Sequence, residues 1–371
     1  MSVFRAAHAE ADGWAQASKA CVDRLGALDE GFNLGFLYVN EALAPDLSSI
    51  LTFVRERTRI EDWVGAVGYG VCASGREFFG PPAMVVLVAA LPSDSFRVFP
   101  PVGESFEAFH VDHGDWVERS APVFAIVHGD SQDGRVAEIV ARLAEETPAF
   151  LVGGLASMAG ARNVVAGKAT GGGVSGVMFS SRVAVATGLS QGCTPLGPIH
   201  AITEAEGNVL VGLDERNALD VFIEDIGEEL AEDLGRVPGL IHAALPVKGS
   251  DTGDYLVRNL IGIDADKGWL AIGAPVEPGD QVMFCARDRD SAARDMARML
   301  KNLKARTQGQ PKGGVYVSCV ARGPNLFGAG SEELKMIRDA LGDFPLAGFY
   351  ANGEISNDRL YGYTGVLTLF L

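Results

Sequence analysis

Residues 34–71 read LGFLYVNEALAPDLSSILTFVRERTRIEDWVGAVGYGV. Leu34 to Val39 is an apolar run of strand length. Asp46 is placed to cap a helix in which Leu47, Ile50, Leu51 and Val54 recur at the i, i+3, i+4, i+7 spacing of one buried face. A second apolar strand, Val64 to Val71, leads into Cys72-Ala73-Ser74-Gly75-Arg76-Glu77 and a returning strand from Ala83 to Leu91. Strand, helix, strand predicts a parallel pair, because parallel neighbours need a helical crossover, right-handed in nearly all cases.

The same order recurs twice. Val123–Val127 precedes a helix carrying Val136, Ile139, Val140 and Leu143, then the strand Phe150–Gly154 and two glycine-separated strands, Val174–Phe179 and Val183–Thr187. Val315–Cys319 precedes a helix started by Ser331-Glu332-Glu333, then Leu346–Tyr350, the turn Ala351-Asn352-Gly353-Glu354 and a last strand, Gly365–Phe370. Three such units indicate an internal repeat. The fold class expected is α/β or α+β, with mixed sheets built from repeated strand–helix–strand–turn–strand units in two tandem modules. Residues 4–28 read as one helix ahead of the first unit. Between the second and third units lie a hairpin and helix (201–234), then strands Tyr255–Ile263, Trp269–Ala274 and Val282–Ala286 before a Ser291-capped helix. Val237–Asp254 and Thr307–Gly314 are the candidate boundaries. The expected division is a helical segment over 1–30, one module over 31–236 and a second over 237–371.

Composition narrows the function. A net charge of -17 over 371 residues argues against nucleic acid or an anionic membrane as partner. There is no apolar run long enough to span a bilayer and no leader pattern, so a cytoplasmic protein without membrane insertion is expected. The five cysteines (Cys21, Cys72, Cys193, Cys285, Cys319) are scattered without a CxxC pair, which speaks against a disulfide framework and a structural zinc site.

Between the second and third units, GLSQGCTPLGPIHAITEAEGNVLVGLDERNAL (188–219) is a shaped loop followed by a hairpin signal. PLGPIHAITEAEGNVLVGLDERNALDVF (195–222), YLVRNLIGID (255–264), VSCVARG (317–323) and PLAGFYANGEI (345–355) together resemble FIST proteins, a paired N-terminal and C-terminal module of bacterial signalling proteins and eukaryotic F-box proteins. The resemblance covers about residues 30–371. It implies a non-catalytic sensory module for a small, amino-acid-like ligand, encoded beside kinases or chemoreceptors; some bacterial members are haem-dependent nitric oxide sensors. The chain carries no F-box, kinase or GGDEF segment, so its output is expected to pass to a separate signalling partner such as a kinase or chemoreceptor.

Several chemical patterns compete with that reading. Gly188-Leu189-Ser190-Gln191-Gly192 fits G-x-S-x-G, but a nucleophile elbow needs a helix after the turn, and Cys-Thr-Pro-Leu-Gly-Pro follows. An acyl-transfer hydrolase using Ser190 or Cys193 is therefore a secondary alternative, and no catalytic residue is assigned. Gly171 to Gly176 satisfies G-x-G-x-x-G but leads into a strand, and Gly167-Lys168 lacks the flanking residues of a P-loop. His110, Asp112, His113 and Asp115 read as a solvated acidic turn rather than a metal site. Haem needs an axial histidine beside an apolar pocket; His128 and His200 are the two to test, and otherwise no cofactor or metal is expected. The ligand-binding candidates are Cys193, Arg258, Asn259, Cys319, Arg322, Asn352 and Glu354. A guanidinium would pair a ligand carboxylate through two parallel hydrogen bonds and a carboxylate its ammonium, at the carboxyl ends of strands where such sheets bind ligands. The competing structural reading is an internal salt bridge such as Arg322–Glu354.

Overall fold

The computed structural model describes residues 3–237, 239–247, 255–307 and 309–371. Among them no helix is long and apolar enough to cross a membrane. The chain divides into two compact units, one made of residues 1–190 with 296–371 and the other of residues 191–295.

The larger unit holds the three repeats. Leu34–Asn40 lies parallel to Asp62–Gly68 across the helix Leu47–Thr58. Phe124–Gly129 and Phe150–Leu155 do the same across Val136–Glu146. Gly313–Cys319 and Leu346–Ala351 do so across Glu332–Leu341. Each repeat then sends a strand back antiparallel to its first one: Ala83–Ala90, Val174–Phe179 and Gly365–Phe370. Registers match as well, pairing Leu37 with Gly65, Val127 with Gly153 and Tyr316 with Gly348. A Cβ at any of these three glycines would sit 1.8 Å from the facing carbonyl oxygen. Only glycine permits that approach, which explains why one stands in the middle of each apolar strand.

The repeats exchange hairpins around a ring. In each, the chain leaves the second parallel strand and pairs as a two-stranded hairpin with the sheet of a different repeat. Gly70–Phe79 from the first repeat joins Leu346–Ala351 of the third; Val164–Thr170 from the second joins Asp62–Gly68 of the first; Glu354–Tyr361 from the third joins Phe150–Leu155 of the second. The result is three six-stranded sheets of matching order. They share one core, in which Phe36, Tyr38, Ile126, Val152, Val317 and Phe349 are each at most 2% exposed. The crossover helices cover the outer faces, as the apolar spacing of Leu47, Ile50, Leu51 and Val54 requires.

The smaller unit is a closed antiparallel barrel. Around it run His200–Glu206, Val209–Leu213, Trp269–Ile272, Tyr255–Asp264, Ile241–Pro246 and Gln281–Ala286, the last pairing again with the first. Closure leaves no long sheet edge. Helix Ala218–Ile226 packs Phe222 edge-on to Phe284 at 4.7 Å between ring centroids.

Several expectations change. Val3–Glu10 is not helical but a strand paired with Ala83–Ala90, and only Trp14–Leu25 forms a helix. Alanine-rich sequence gives both stretches similar helix propensity; the open side of the neighbouring strand and burial of Phe4 against Phe370, 4.6 Å between centroids, decide for the strand. His110 to Asp115 is not a loop but lies within the helix Glu107–Ser120. Asp288, not Ser291, caps the long helix Arg289–Arg306, its carboxylate accepting from the Ser291 amide at 2.8 Å. By contact, residues 191–295 close their own barrel as one unit, while residues 296–306 pack with the third repeat's core. Of the glycine-rich stretch read as a boundary, residues 248–254 lie outside the described residues.

Candidate functional site

The seven residues singled out from sequence separate into two groups. Cys193, Arg258 and Asn259 belong to the barrel unit; Cys319, Arg322, Asn352 and Glu354 belong to the repeat unit.

Arg322 is fully buried. Its Nε donates to Glu333 Oε1 at 2.7 Å, its Nη1 to the carbonyls of Ser190 and Tyr363 at 3.3 and 3.4 Å, and its Nη2 to Ser190 Oγ at 3.4 Å. Glu333 is equally occupied, accepting from Tyr316 at 2.6 Å, from Ser318 at 3.3 Å and from the Gly323 amide at 3.1 Å. Burial opposes the guanidinium charge, and the Glu333 carboxylate more than offsets it, so the Arg322 pKa is raised. An internal salt bridge was the right class of partner for Arg322, but with Glu333 in place of Glu354. Ser190 faces this arginine, and no helix follows it, so the context of a nucleophile elbow is absent.

Glu354 is also buried, its Oε2 accepting from the Thr364 amide at 3.0 Å and hydroxyl at 2.8 Å while Oε1 has no partner among the described residues. Burial pushes this carboxyl up to about 8, against the pull of Thr364. Burial and then the Glu354 charge push the Cys319 thiol up to about 12. Asn352 is exposed at the strand end. In the barrel unit Arg258 is half-buried, donating to the Val257 carbonyl at 2.9 Å, and burial lowers its pKa. Asn259 is exposed beside it. Cys193 is buried, its carbonyl accepting from Tyr255 at 2.9 Å, and its thiol and burial together raise the pKa of Cys285.

Both histidines chosen for haem are buried within the fold. His128 is fully buried, Nε2 on the Tyr38 hydroxyl at 3.1 Å, its ring 5.8 Å from that of Phe349. Both ring nitrogens of His200 are taken, by Asp214 at 2.6 Å and Asp225 at 2.9 Å. No group of three or more His, Cys, Asp or Glu among the described residues is placed to hold a metal.

An open pocket lies elsewhere, where the second repeat's hairpin meets the first repeat's crossover helix. A pocket of about 520 Å³ is lined there by Ser48, Thr52 and Arg55 from the helix and by Arg162, Lys168 and Thr170 from the loop and hairpin. Ser48, Thr52 and Arg55 share a face by helical spacing, opposite Ile50 and Val54, which are buried. The hairpin is held in place by pairing of Val164–Ala166 with Val64–Ala66 and by Gly167 N donating to the Trp63 carbonyl at 2.8 Å. Arg55 Nη1 donates to the Gly167 carbonyl at 3.0 Å. From the other side, the buried Asp130 accepts from Gly172 N and from Asn163 Nδ2, both at 2.7 Å, anchoring each end of the segment.

The lining carries three cations and no carboxylate, histidine or cysteine. Arg55 also pairs with Glu61 at the rim, whereas among the described residues neither Arg162 nor Lys168 has an ion-pair partner. Such a lining presents donors to an anion and no nucleophile–base pair. The equivalent junction of the third repeat is filled: a Cβ at the hairpin glycine Gly75 would lie 2.7 Å from Arg338 Nη1, and Glu77 and Ser331 bond reciprocally at 3.0 and 3.1 Å. In the first repeat a Cβ at Gly167 would meet nothing within 4 Å. Lys168 sits in a Gly-Lys pair that lacks the flanks of a P-loop, and Ser48, Thr52, Arg55, Arg162 and Thr170 carry no motif. The pocket's only other trace in the sequence is three cations within reach of glycine-rich turns in an acidic chain.

Over residues 33–216 the chain matches the FIST N domain, and over residues 218–357 the FIST C domain. It is 30% identical over 340 residues to an uncharacterized protein of Mycobacterium tuberculosis, covering 83% of each chain. It is 32% identical over 196 residues to an uncharacterized protein of Mycobacterium bovis, covering 49% of this chain and 50% of that one.

Proposed function

Since this chain belongs to the FIST family and carries both its N and C domains, we propose that it is a small-ligand sensory protein without catalytic activity, whose ligand occupies the pocket between the helix Leu47–Thr58 and the hairpin Val164–Thr170. One observation carries the reading. One wall of the pocket comes from the first repeat's crossover helix, and the other from the hairpin that the second repeat contributes to its sheet together with the residues flanking it. A ligand held by Arg55 on one side and by Arg162 and Lys168 on the other fastens two repeats together. Occupancy is thereby converted into a change in how firmly the hairpin is docked, which a separate signalling partner, such as a kinase or chemoreceptor, can read. The volume falls within the range of sites for small metabolites.

The test is a ligand screen on the full chain by thermal shift, followed by hydrogen exchange. A ligand present at one hundred times its dissociation constant stabilises by about 2.7 kcal/mol. Protection on binding is expected in residues 161–171, and Thr52→Trp, which fills the pocket, should abolish both effects. A ligand that binds Thr52→Trp as well as it binds the unaltered protein would place the site elsewhere.

A further inference from the structure

Resting on that reading, we infer that the ligand is a small dianion, such as a dicarboxylate or a phosphate monoester, rather than a zwitterionic amino acid. An amino acid needs a cation for its carboxylate and an anion or a set of acceptors for its ammonium. The pocket supplies only the first: Arg55, Arg162 and Lys168 reach it from a helix, a loop and a strand, and no carboxylate lines it. Glu61 already partners Arg55, which leaves Arg162 and Lys168 as two like charges beside one cavity without a counter-ion among the described residues, in a chain whose formal net charge is -17. A monoanion would leave part of that repulsion uncompensated. Two negative charges offset it, with Arg162 and Lys168 as the groups that gain a counter-charge, since neither has an ion-pair partner among the described residues. The hydroxyls of Ser48 and Thr170 supply further donors for carboxylate or phosphate oxygens, while that of Thr52 donates to the Ser48 carbonyl at 2.9 Å. Arginine contributes the planar fork suited to both groups, and lysine a point charge.

The experiment measures binding to the full chain by calorimetry with succinate, glycerol phosphate, acetate, glycine and glutamine, all at matched ionic strength. Succinate or glycerol phosphate, whichever geometry the pocket prefers, is expected to bind at least tenfold more tightly than acetate and both amino acids. Arg162→Gln and Lys168→Gln should each weaken that dianion at least tenfold, and raising the salt concentration should weaken it further, because partly exposed pairs are screened. Both side chains are exposed, so these variants should fold as the parent does. The inference is overturned if an amino acid binds and is lost in Thr52→Trp while both charge variants leave it unchanged; the sensory reading then survives without the dianion. It is equally overturned if the dianions bind no better than acetate. Dianion binding that persists in Thr52→Trp would instead remove the pocket from both readings.

Discussion

Two sites in the repeat unit place cationic side chains beside a crossover helix, and they differ in what satisfies the charge. In the third repeat Arg322 is sealed in, bound to Glu333 and to the carbonyls of Ser190 and Tyr363. Where the second repeat's hairpin meets the first repeat's crossover helix, Arg162 and Lys168 face an open pocket without a counter-ion among the described residues. A buried charge whose hydrogen-bonding capacity is used up belongs to the fold, since desolvating it for a ligand would first require breaking those bonds. A cluster of like charges without a counter-ion is what a ligand can complete. The comparison therefore moves the proposed site from the residue that stands out in the sequence to residues that do not.

The sharpest way to break the comparison is at Arg322. Arg322→Met should destabilise the protein by about 3–5 kcal/mol with no ligand present, because Glu333 is left buried without its partner. Partial recovery is expected on adding Glu333→Gln, read by denaturant unfolding. Wild-type melting of the single variant would return Arg322 to the list of ligand residues.

Glu354 tests the same core through pH. Its carboxyl rises from an ordinary 4.5 to about 8 on folding, so the native state holds a proton that the unfolded state releases above pH 4.5. This contribution to stability is complete below pH 4.5, declines by up to about 1.4 kcal/mol per pH unit as pH rises, and is lost through pH 8. Glu354→Gln should flatten that part of the profile and unfold at higher denaturant than the parent at pH 8. An unchanged slope would mean that Glu354 titrates normally.

In the barrel unit His200 gives a smaller effect, also dependent on pH. Burial opposes its charge, but the hydrogen bonds its ring donates to the Asp214 and Asp225 carboxylates prevail and raise its pKa. Its stabilisation is present below the unfolded value of 6.5 and is lost as pH rises through the folded value. His200→Asn is expected to cost about 1–2 kcal/mol at pH 6, from hydrogen bonds to charged groups, and less at pH 9. Equal losses at both pH values would contradict a charged His200.

The smallest change is expected at the pocket: Arg162→Gln and Lys168→Gln should each alter unliganded stability by less than about 0.5 kcal/mol. A larger loss would make these cations structural, as Arg322 is.

Much of the architecture was legible because its signals are local. The crossover helices follow from the spacing of residues such as Leu47, Ile50, Leu51 and Val54, and the parallel strands from the apolar runs on either side. The strand Val3–Glu10 was not legible, since its alanines suit a helix and only its neighbour Ala83–Ala90 draws it into the sheet. The candidate site was less legible still. Arg322 and Glu333 lie 11 residues apart and meet only because the helix Glu332–Leu341 returns over its strand. Arg55 and Lys168 are far apart in the chain, with no spacing rule to connect them.

The sequence by itself determined the three strand–helix–strand units, the FIST relationship and the glycines Gly65, Gly153 and Gly348 that those units require. These rest on side-chain periodicity and local sterics, which act over a few residues. Only the tertiary structure decided that each hairpin leaves its own repeat for another's sheet, and that one of the resulting junctions stays open and cationic while another is filled by Arg338. Both outcomes depend on which side chain fills a space built by distant segments, and packing of that kind is set by the assembled fold.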